Sequence, residues 1–95
     1  MTKERGRVVP NDRCLLTELG DGTGVLLHLD TKFYYTLNRT GLVLWKAAIE
    51  APRKSVDELA RRLAEAFAVD EPTAKADVEA LLSELDGEGL VTFAR

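Results

Sequence analysis

The side chains able to do covalent chemistry are few. The chain has one histidine, His28, one cysteine, Cys14, and two serines, Ser55 and Ser83. A Ser-His-Asp or Cys-His site would have to use His28, and no nucleophile motif surrounds it. A single cysteine makes neither an internal disulfide nor a cysteine-based metal site. Asp77, Glu79, Glu84, Asp86 and Glu88 form a run of carboxylates, with Asp77 and Glu84 on one helix face. Without a histidine beside them they read as a solvated face, or as an acidic rim for a basic partner. Gly20-Asp21-Gly22-Thr23-Gly24 lacks the G-K-[ST] ending of a phosphate loop and lies between two strand patterns, so it reads as a hairpin loop. Asn38-Arg39-Thr40 matches a glycosylation sequon but stands where a helix needs a cap. His28 alternates with Leu27 and Leu29 and shares a strand face with Leu26, which makes it structural or solvated. Cys14 reads as a small apolar strand residue. No catalytic residue, metal site or cofactor is expected, and a binding module is favoured.

The elements that would carry such a module follow from periodicity. At 95 residues, 45 % hydrophobic and 31 % charged, the chain is sized for a single globular domain over 1–95, with residues 1–7 as a flexible tail. No apolar run is long enough for a membrane span, and no apolar stretch follows the basic N-terminus, so a cytoplasmic, membrane-free protein is expected. Cys14–Leu19, Val25–Leu29 and Lys32–Leu37 read as strands of a three-stranded antiparallel meander, with a tight turn at Asp30-Thr31 and a short extended piece at Val8-Val9 before it. Three helices follow. Asn38 caps the first, whose stripe is Leu42, Trp45, Ala48 and Ile49, and Pro52 stops it. Ser55-Val56-Asp57-Glu58 is a capping box opening the second, with Leu59, Leu63 and Phe67 in a row. Asp70 caps the third, Pro72 sits in its first turn, and its stripe is Ala74, Val78, Leu81, Leu82 and Leu85. Gly87 and Gly89 end it, and Leu90–Phe93 is a short extended tail. The fold class is therefore α+β: a three-stranded antiparallel sheet followed by a three-helix winged helix-turn-helix-like bundle.

Charge and the aromatic run narrow the partners. Residues 1–69 carry a net charge of +2 and residues 70–95 carry −5. The acidic C-terminal third argues against a phosphate-binding surface there. Alternation puts Phe33, Tyr35 and Leu37 on one face and Lys32, Tyr34 and Thr36 on the other. A short strand that ends a meander is also a sheet edge, with backbone groups able to accept an added peptide strand. A plain core strand is the alternative.

The segment Gly24-Val25-Leu26-Leu27-His28-Leu29-Asp30-Thr31-Lys32-Phe33-Tyr34-Tyr35-Thr36-Leu37-Asn38-Arg39-Thr40-Gly41 resembles the strand, turn and Y-x-L-N-x-T-G pattern of the PqqD-like family. Trp45, Ser55–Leu59, Ala76-Asp77-Val78, Leu81-Leu82, Leu85 and Gly89-Leu90-Val91 extend the resemblance over roughly residues 14–92. It implies a RiPP recognition element, a non-catalytic chaperone that binds the leader of a ribosomally made precursor peptide and presents it to a modifying enzyme. It further implies that the leader adds as a strand to Lys32–Leu37 and lies against the third helix, about Glu71–Asp86. The expected site residues are Lys32, Phe33, Tyr34, Tyr35 and Thr36 on the strand. On the helix they are Asp77, Ala80, Leu81 and Glu84, one border of its apolar stripe. The Phe33-Tyr34-Tyr35 strand followed by Asn38-Arg39-Thr40-Gly41 is closer to members serving lasso-peptide leader proteases or radical-SAM maturases than to those dedicated to pyrroloquinoline quinone. Partners are then a precursor leader and a modifying enzyme, with no nucleic acid and no membrane, the chain being a monomer or weak dimer. The rivals are a winged-helix DNA-binding domain, which would need Lys or Arg on the third helix, and a dimerisation module using the same sheet edge.

Overall fold

The computed structural model describes residues 7–50 and 54–94. Strands β2 (Cys14–Glu18), β3 (Gly24–His28) and β4 (Tyr34–Leu37) form the antiparallel meander, in the order β2-β3-β4. Its inner face is apolar by alternation: Leu26 and Leu37 are fully buried, and Leu16 and Tyr35 pack against them. The β2–β3 connection is the expected hairpin loop, closed by Asp21, whose Oδ1 accepts from the Thr23 backbone N–H at 3.0 Å and its hydroxyl at 2.6 Å.

A second sheet lies apart from the meander. Here β1 (Arg7–Pro10) pairs antiparallel with β5 (Lys54–Ser55) on one side and β6 (Val91–Ala94) on the other. The extended piece at Val8-Val9 is thus the centre of a sheet drawn from both ends of the chain. Val8 has no solvent exposure. The tail expected over residues 1–7 lies outside the described residues except for Arg7, which is paired in β1 opposite Ser55 and Ala94. The tail reading erred at Arg7 because β1 has no local partner; its neighbours are supplied by residues far away in sequence.

Helix α1 (Arg39–Glu50) starts at Asn38, whose Oδ1 accepts from the Gly41 N–H at 2.8 Å. Leu42, Trp45 and Ala48 are buried as expected, together with Leu44 and Ala47, but Ile49 is 45 % exposed. The buried stripe drifts round the helix, and by Ile49 it has turned from the core. Pro52, the expected stop, lies outside the described residues. Helix α2 (Val56–Phe67) opens with the full capping box: the Glu58 N–H donates to Ser55 Oγ at 3.1 Å and the Ser55 N–H to Glu58 Oε1 at 2.8 Å. Leu59 and Leu63 are buried, while Phe67 is 38 % exposed at the last turn, which the left-handed Ala68 closes. Helix α3 (Glu71–Gly87) packs on α2 and buries Ala74, Val78, Leu82 and Leu85. Asp70 holds the N-cap position, but its carboxylate accepts from the Thr73 hydroxyl at 2.8 Å rather than from a backbone N–H. The exit is a Schellman turn: Leu90 N–H donates to the Leu85 carbonyl at 2.8 Å and Gly89 N–H to that of Asp86 at 3.1 Å. Gly89 takes φ +75°, which only glycine adopts without strain. Leu90 is thereby turned into the core and the chain is aimed along β1.

Candidate functional site

β4 is the last strand of its sheet, and among the described residues no strand pairs with its outer edge. The phase of the ladder decides which backbone groups remain there. The His28 N–H donates to the Phe33 carbonyl at 3.0 Å. From there the register runs Leu27 opposite Tyr34, Leu26 opposite Tyr35, Val25 opposite Thr36 and Gly24 opposite Leu37. Hydrogen-bonded and non-bonded pairs alternate in an antiparallel ladder. Tyr35 and Leu37 therefore turn their backbone groups to β3, and Tyr34 and Thr36 turn theirs outward. The Tyr34 side chain, 72 % exposed, stands on the outer face of the sheet.

The strand is shorter than its aromatic run. Lys32 and Phe33, expected in it, belong to the turn instead. Leu29–Lys32 form a four-residue loop in which the Lys32 N–H donates to the His28 carbonyl at 2.7 Å and Lys32 adopts φ +66°. Such loops need a left-handed residue at the end to bring the chain back into register. Phe33 leaves the loop with its N–H on Thr31 Oγ1 and its side chain 71 % exposed. Propensity read this stretch as strand; the geometry of chain reversal took two residues from it. The His28 ring closes the same loop. It is buried, Nδ1 accepts from the Asp30 N–H at 3.2 Å, and Nε2 lies 3.4 Å from Asn11 Nδ2. Its role is structural.

Between β4 and α3 runs a groove of about 350 Å³, lined by Tyr35, Thr36, Leu37, Asn38 and Gly41 on one side, Leu81 and Glu84 on the other, and Thr23 at one end. Of the four helix residues expected there, Leu81 and Glu84 line it; Asp77 and Ala80 are exposed on α3 outside it. The pattern reading missed Thr23, Leu37, Asn38 and Gly41. Gly41 had a signal: a Cβ there would meet Leu37 Cδ2 at 3.1 Å, so a glycine keeps the first turn of α1 against the strand.

A polar link across the groove joins its two walls. The Tyr35 hydroxyl donates to Glu84 Oε1 at 2.6 Å. Burial, the hydrogen bond to Glu84 and the charges of Glu84 and Glu88 push the Tyr35 phenol up to about 12, so it stays a donor at neutral pH. At the other edge of the sheet a larger and more apolar cleft, about 740 Å³, lies between β2, Val9-Pro10 and α1, with Trp45 and Ile49 among its lining residues. Cys14 lines it, its thiol pushed up by burial and by the charges of Asp30 and Asp12, which favours the unreactive protonated form. Among the described residues no group of three His, Cys, Asp or Glu could hold a metal ion, and no helix is long and apolar enough to cross a membrane.

The family model of coenzyme PQQ synthesis protein D, PqqD, matches residues 23–91. The chain belongs to the PqqD family. The matched span runs from the end of the β2–β3 loop to the first residue of β6, and so contains both walls of the groove in this PqqD-family protein. Two solved structures share its fold. One is TbiB1 in complex with the TbiA(beta) leader peptide, 26 % identical, with a TM-score of 0.79 over 92 % of this chain and 98 % of that one. The other is a lasso peptide synthetase B1 complexed with the leader peptide, 21 % identical, with a TM-score of 0.73 over 90 % and 96 % of the two chains. Comparison with curated proteins gives no match.

Proposed function

We propose that this PqqD-family chain acts as one domain, in the cytoplasm, to bind the leader segment of a ribosomally made precursor peptide and present it to a modifying enzyme, without catalysis of its own. The observation that carries this reading is the outer edge of β4. The backbone groups of Tyr34 and Thr36 point out beside a groove with an apolar wall and a fixed carboxylate. An extended peptide paired there gains backbone hydrogen bonds worth about 0.5–1.5 kcal/mol net each, and its alternate side chains enter the groove. The likeness to TbiB1, whose structure holds a leader peptide, supports a lasso-type leader as the ligand and a leader protease as the enzyme. A radical-SAM maturase is the second candidate for that enzyme. The protein works as a monomer or weak dimer, its β4 edge being taken by the peptide.

The winged-helix DNA-binding reading is not favoured. Along α3, Lys75 is the one basic residue, it is ion-paired with Asp57 at 3.0 Å, and Glu71, Asp77, Glu79, Glu84 and Asp86 surround it. A major-groove helix needs cations free to meet phosphates.

The test is fluorescence anisotropy with labelled leader segments of the short precursor peptides encoded beside this chain's own gene. Saturable binding is expected, with no cleavage or mass change of the peptide by the isolated protein, and modification only when the enzyme encoded nearby is added. Absence of binding to any such leader, or turnover by the isolated chain, would overturn the proposal.

A further inference from the structure

We infer that the groove reads charge: the peptide residue lying opposite Tyr35 is a lysine or arginine, and its head group pairs with Glu84. The inference rests on the strand-addition reading and adds to it the chemistry of the residue that is bound.

The register sets the position. Because Tyr34 and Thr36 present the outward backbone groups, the residue added opposite Tyr35 sits at a non-hydrogen-bonded position, where cross-strand side chains are closest, with Cβ atoms about 4.5–5.5 Å apart. It points to the same side of the sheet as Tyr35, which is the side of the groove. Residues two places before and after it also point inward; those between them lie outside, beside the exposed Tyr34.

The groove wall then selects the side chain. Tyr35, Leu37 and Leu81 offer an apolar surface, and among the described residues Glu84 is the one charged side chain in the lining. The Tyr35 hydroxyl holds Glu84 Oε1 at 2.6 Å. That hydrogen bond orients the carboxylate and leaves Oε2 for a donor from the peptide. Arg39, near the other end of the groove, is turned to the β2–β3 loop, where its Nε donates to the Asp21 carbonyl at 3.2 Å. A lysine or arginine fits both demands: its methylene stem lies along Tyr35 and Leu81, and its cationic head reaches the carboxylate and the tyrosine ring. A peptide carboxylate there would face Glu84 with Glu88 close by. A short apolar residue would leave Glu84 Oε2 to water and gain nothing from the carboxylate.

The experiment is selection of a displayed random-peptide library on the full chain, repeated on Glu84→Lys and on Thr36→Pro. Expected are binders carrying Lys or Arg at one fixed position with apolar residues two places to either side. Selection on Glu84→Lys should return Asp or Glu at that position. The best wild-type binder should lose about three- to fivefold affinity in Glu84→Gln, the size of a partly exposed charge pair, and its binding should weaken with salt. Binders that Thr36→Pro weakens about tenfold, yet with no basic preference or no reversal in Glu84→Lys, would overturn this inference and leave strand addition standing. Binders indifferent to Thr36→Pro would overturn strand addition and this inference with it. Circular dichroism of each variant shows that the fold is kept.

Discussion

The meander has two outer edges, and they are built differently. At the β4 edge, Tyr34 and Thr36 turn their backbone groups to open space, α3 stands across a narrow groove, and a polar bridge from Tyr35 to Glu84 spans it. At the β2 edge the first outward donor is already used: the Cys14 N–H donates to the Asn11 carbonyl at 3.2 Å. The Arg13–Leu29 hydrogen bond at 2.8 Å fixes that ladder's phase, leaving Leu16 and Glu18 outward. Beside them is a wider, more apolar cleft against α1. Each edge keeps two outward residues, and it is the polar bridge from strand to helix at β4 that favours the smaller groove as the proposed peptide site. Strand addition needs open backbone groups together with convergent polar and apolar groups to set register, and at β4 the Tyr35–Glu84 bridge stands directly beside the open groups. An edge strand is also an aggregation hazard, and Glu18, paired with Lys46 at 3.2 Å, places charge on the β2 side.

The two edges share β3, so the largest effect should come from a residue that both depend on. Leu26 is fully buried in the middle of β3. Leu26→Ala should cost about 2–5 kcal/mol, a large part of the roughly 5–15 kcal/mol that holds a domain of this kind together. Chemical denaturation should show it, with peptide binding lost only as the fold is lost. If Leu26→Ala melts like wild type, the meander is not the core described here.

Proline at single edge positions separates the edges directly. Thr36→Pro removes an outward donor without touching the β3 ladder and should lower peptide affinity about tenfold, the equivalent of one backbone hydrogen bond. Glu18→Pro removes an outward donor on β2 and should leave affinity unchanged. Tyr35→Pro removes a donor aimed at β3 and should destabilise the domain instead. Anisotropy alongside thermal melts reads all three; equal losses in Thr36→Pro and Glu18→Pro would erase the distinction between the edges.

Ser55 lies on neither edge. Ser55→Ala breaks the α2 capping box and should cost about 1 kcal/mol, a fall of roughly 4–8 °C in thermal midpoint for a domain this small. Peptide affinity should not move. A shift in affinity would show that the groove depends on the α2 terminus.

The smallest effect is one of pH. The folded protein holds the Tyr35 phenol at about 12, above its ordinary value of 10.0. A group whose folded value is raised adds stability below the unfolded value and loses it as pH rises through the folded one. The stability that comes from burying the neutral phenol, and from its bridge to Glu84, should thus be fully present below pH 10 and fade between about pH 10 and 12. Ultraviolet titration should show the high-pH phenolate step vanish in Tyr35→Phe and move down in Glu84→Gln. No movement in Glu84→Gln would mean that burial and the charge of Glu88 set the value without Glu84.

Local chemistry made much of this legible. The Asn38 cap, the Ser55–Glu58 capping box, the glycine exit of α3 and the meander itself each follow from residues within a few positions of one another, where sequence spacing is spatial proximity. So did the β4 edge, since a strand followed at once by a capped helix has no next strand to cover it. What the pattern misjudged was also local, but geometric. Reversing the chain between β3 and β4 needed four residues and a left-handed Lys32, and this drew Lys32 and Phe33 out of the strand. Hydrophobicity says that aromatic residues favour strands, and it says nothing of how many residues a turn consumes.

Only the tertiary structure decided the rest. The sheet β5-β1-β6 joins strands from the N-terminus, the middle and the C-terminus of the chain, and no periodicity within any of them names the others. The groove likewise depends on how far α3 stands from β4, which is set by α3 packing on α2 and by Leu90 being turned inward at Gly89. That spacing brings Leu81 and Glu84 to Tyr35 and leaves Asp77 and Ala80 outside, although all four share one border of the helix. Sequence spacing identifies a helix face; which turns of that face meet a distant strand is fixed by the packing of every element between them.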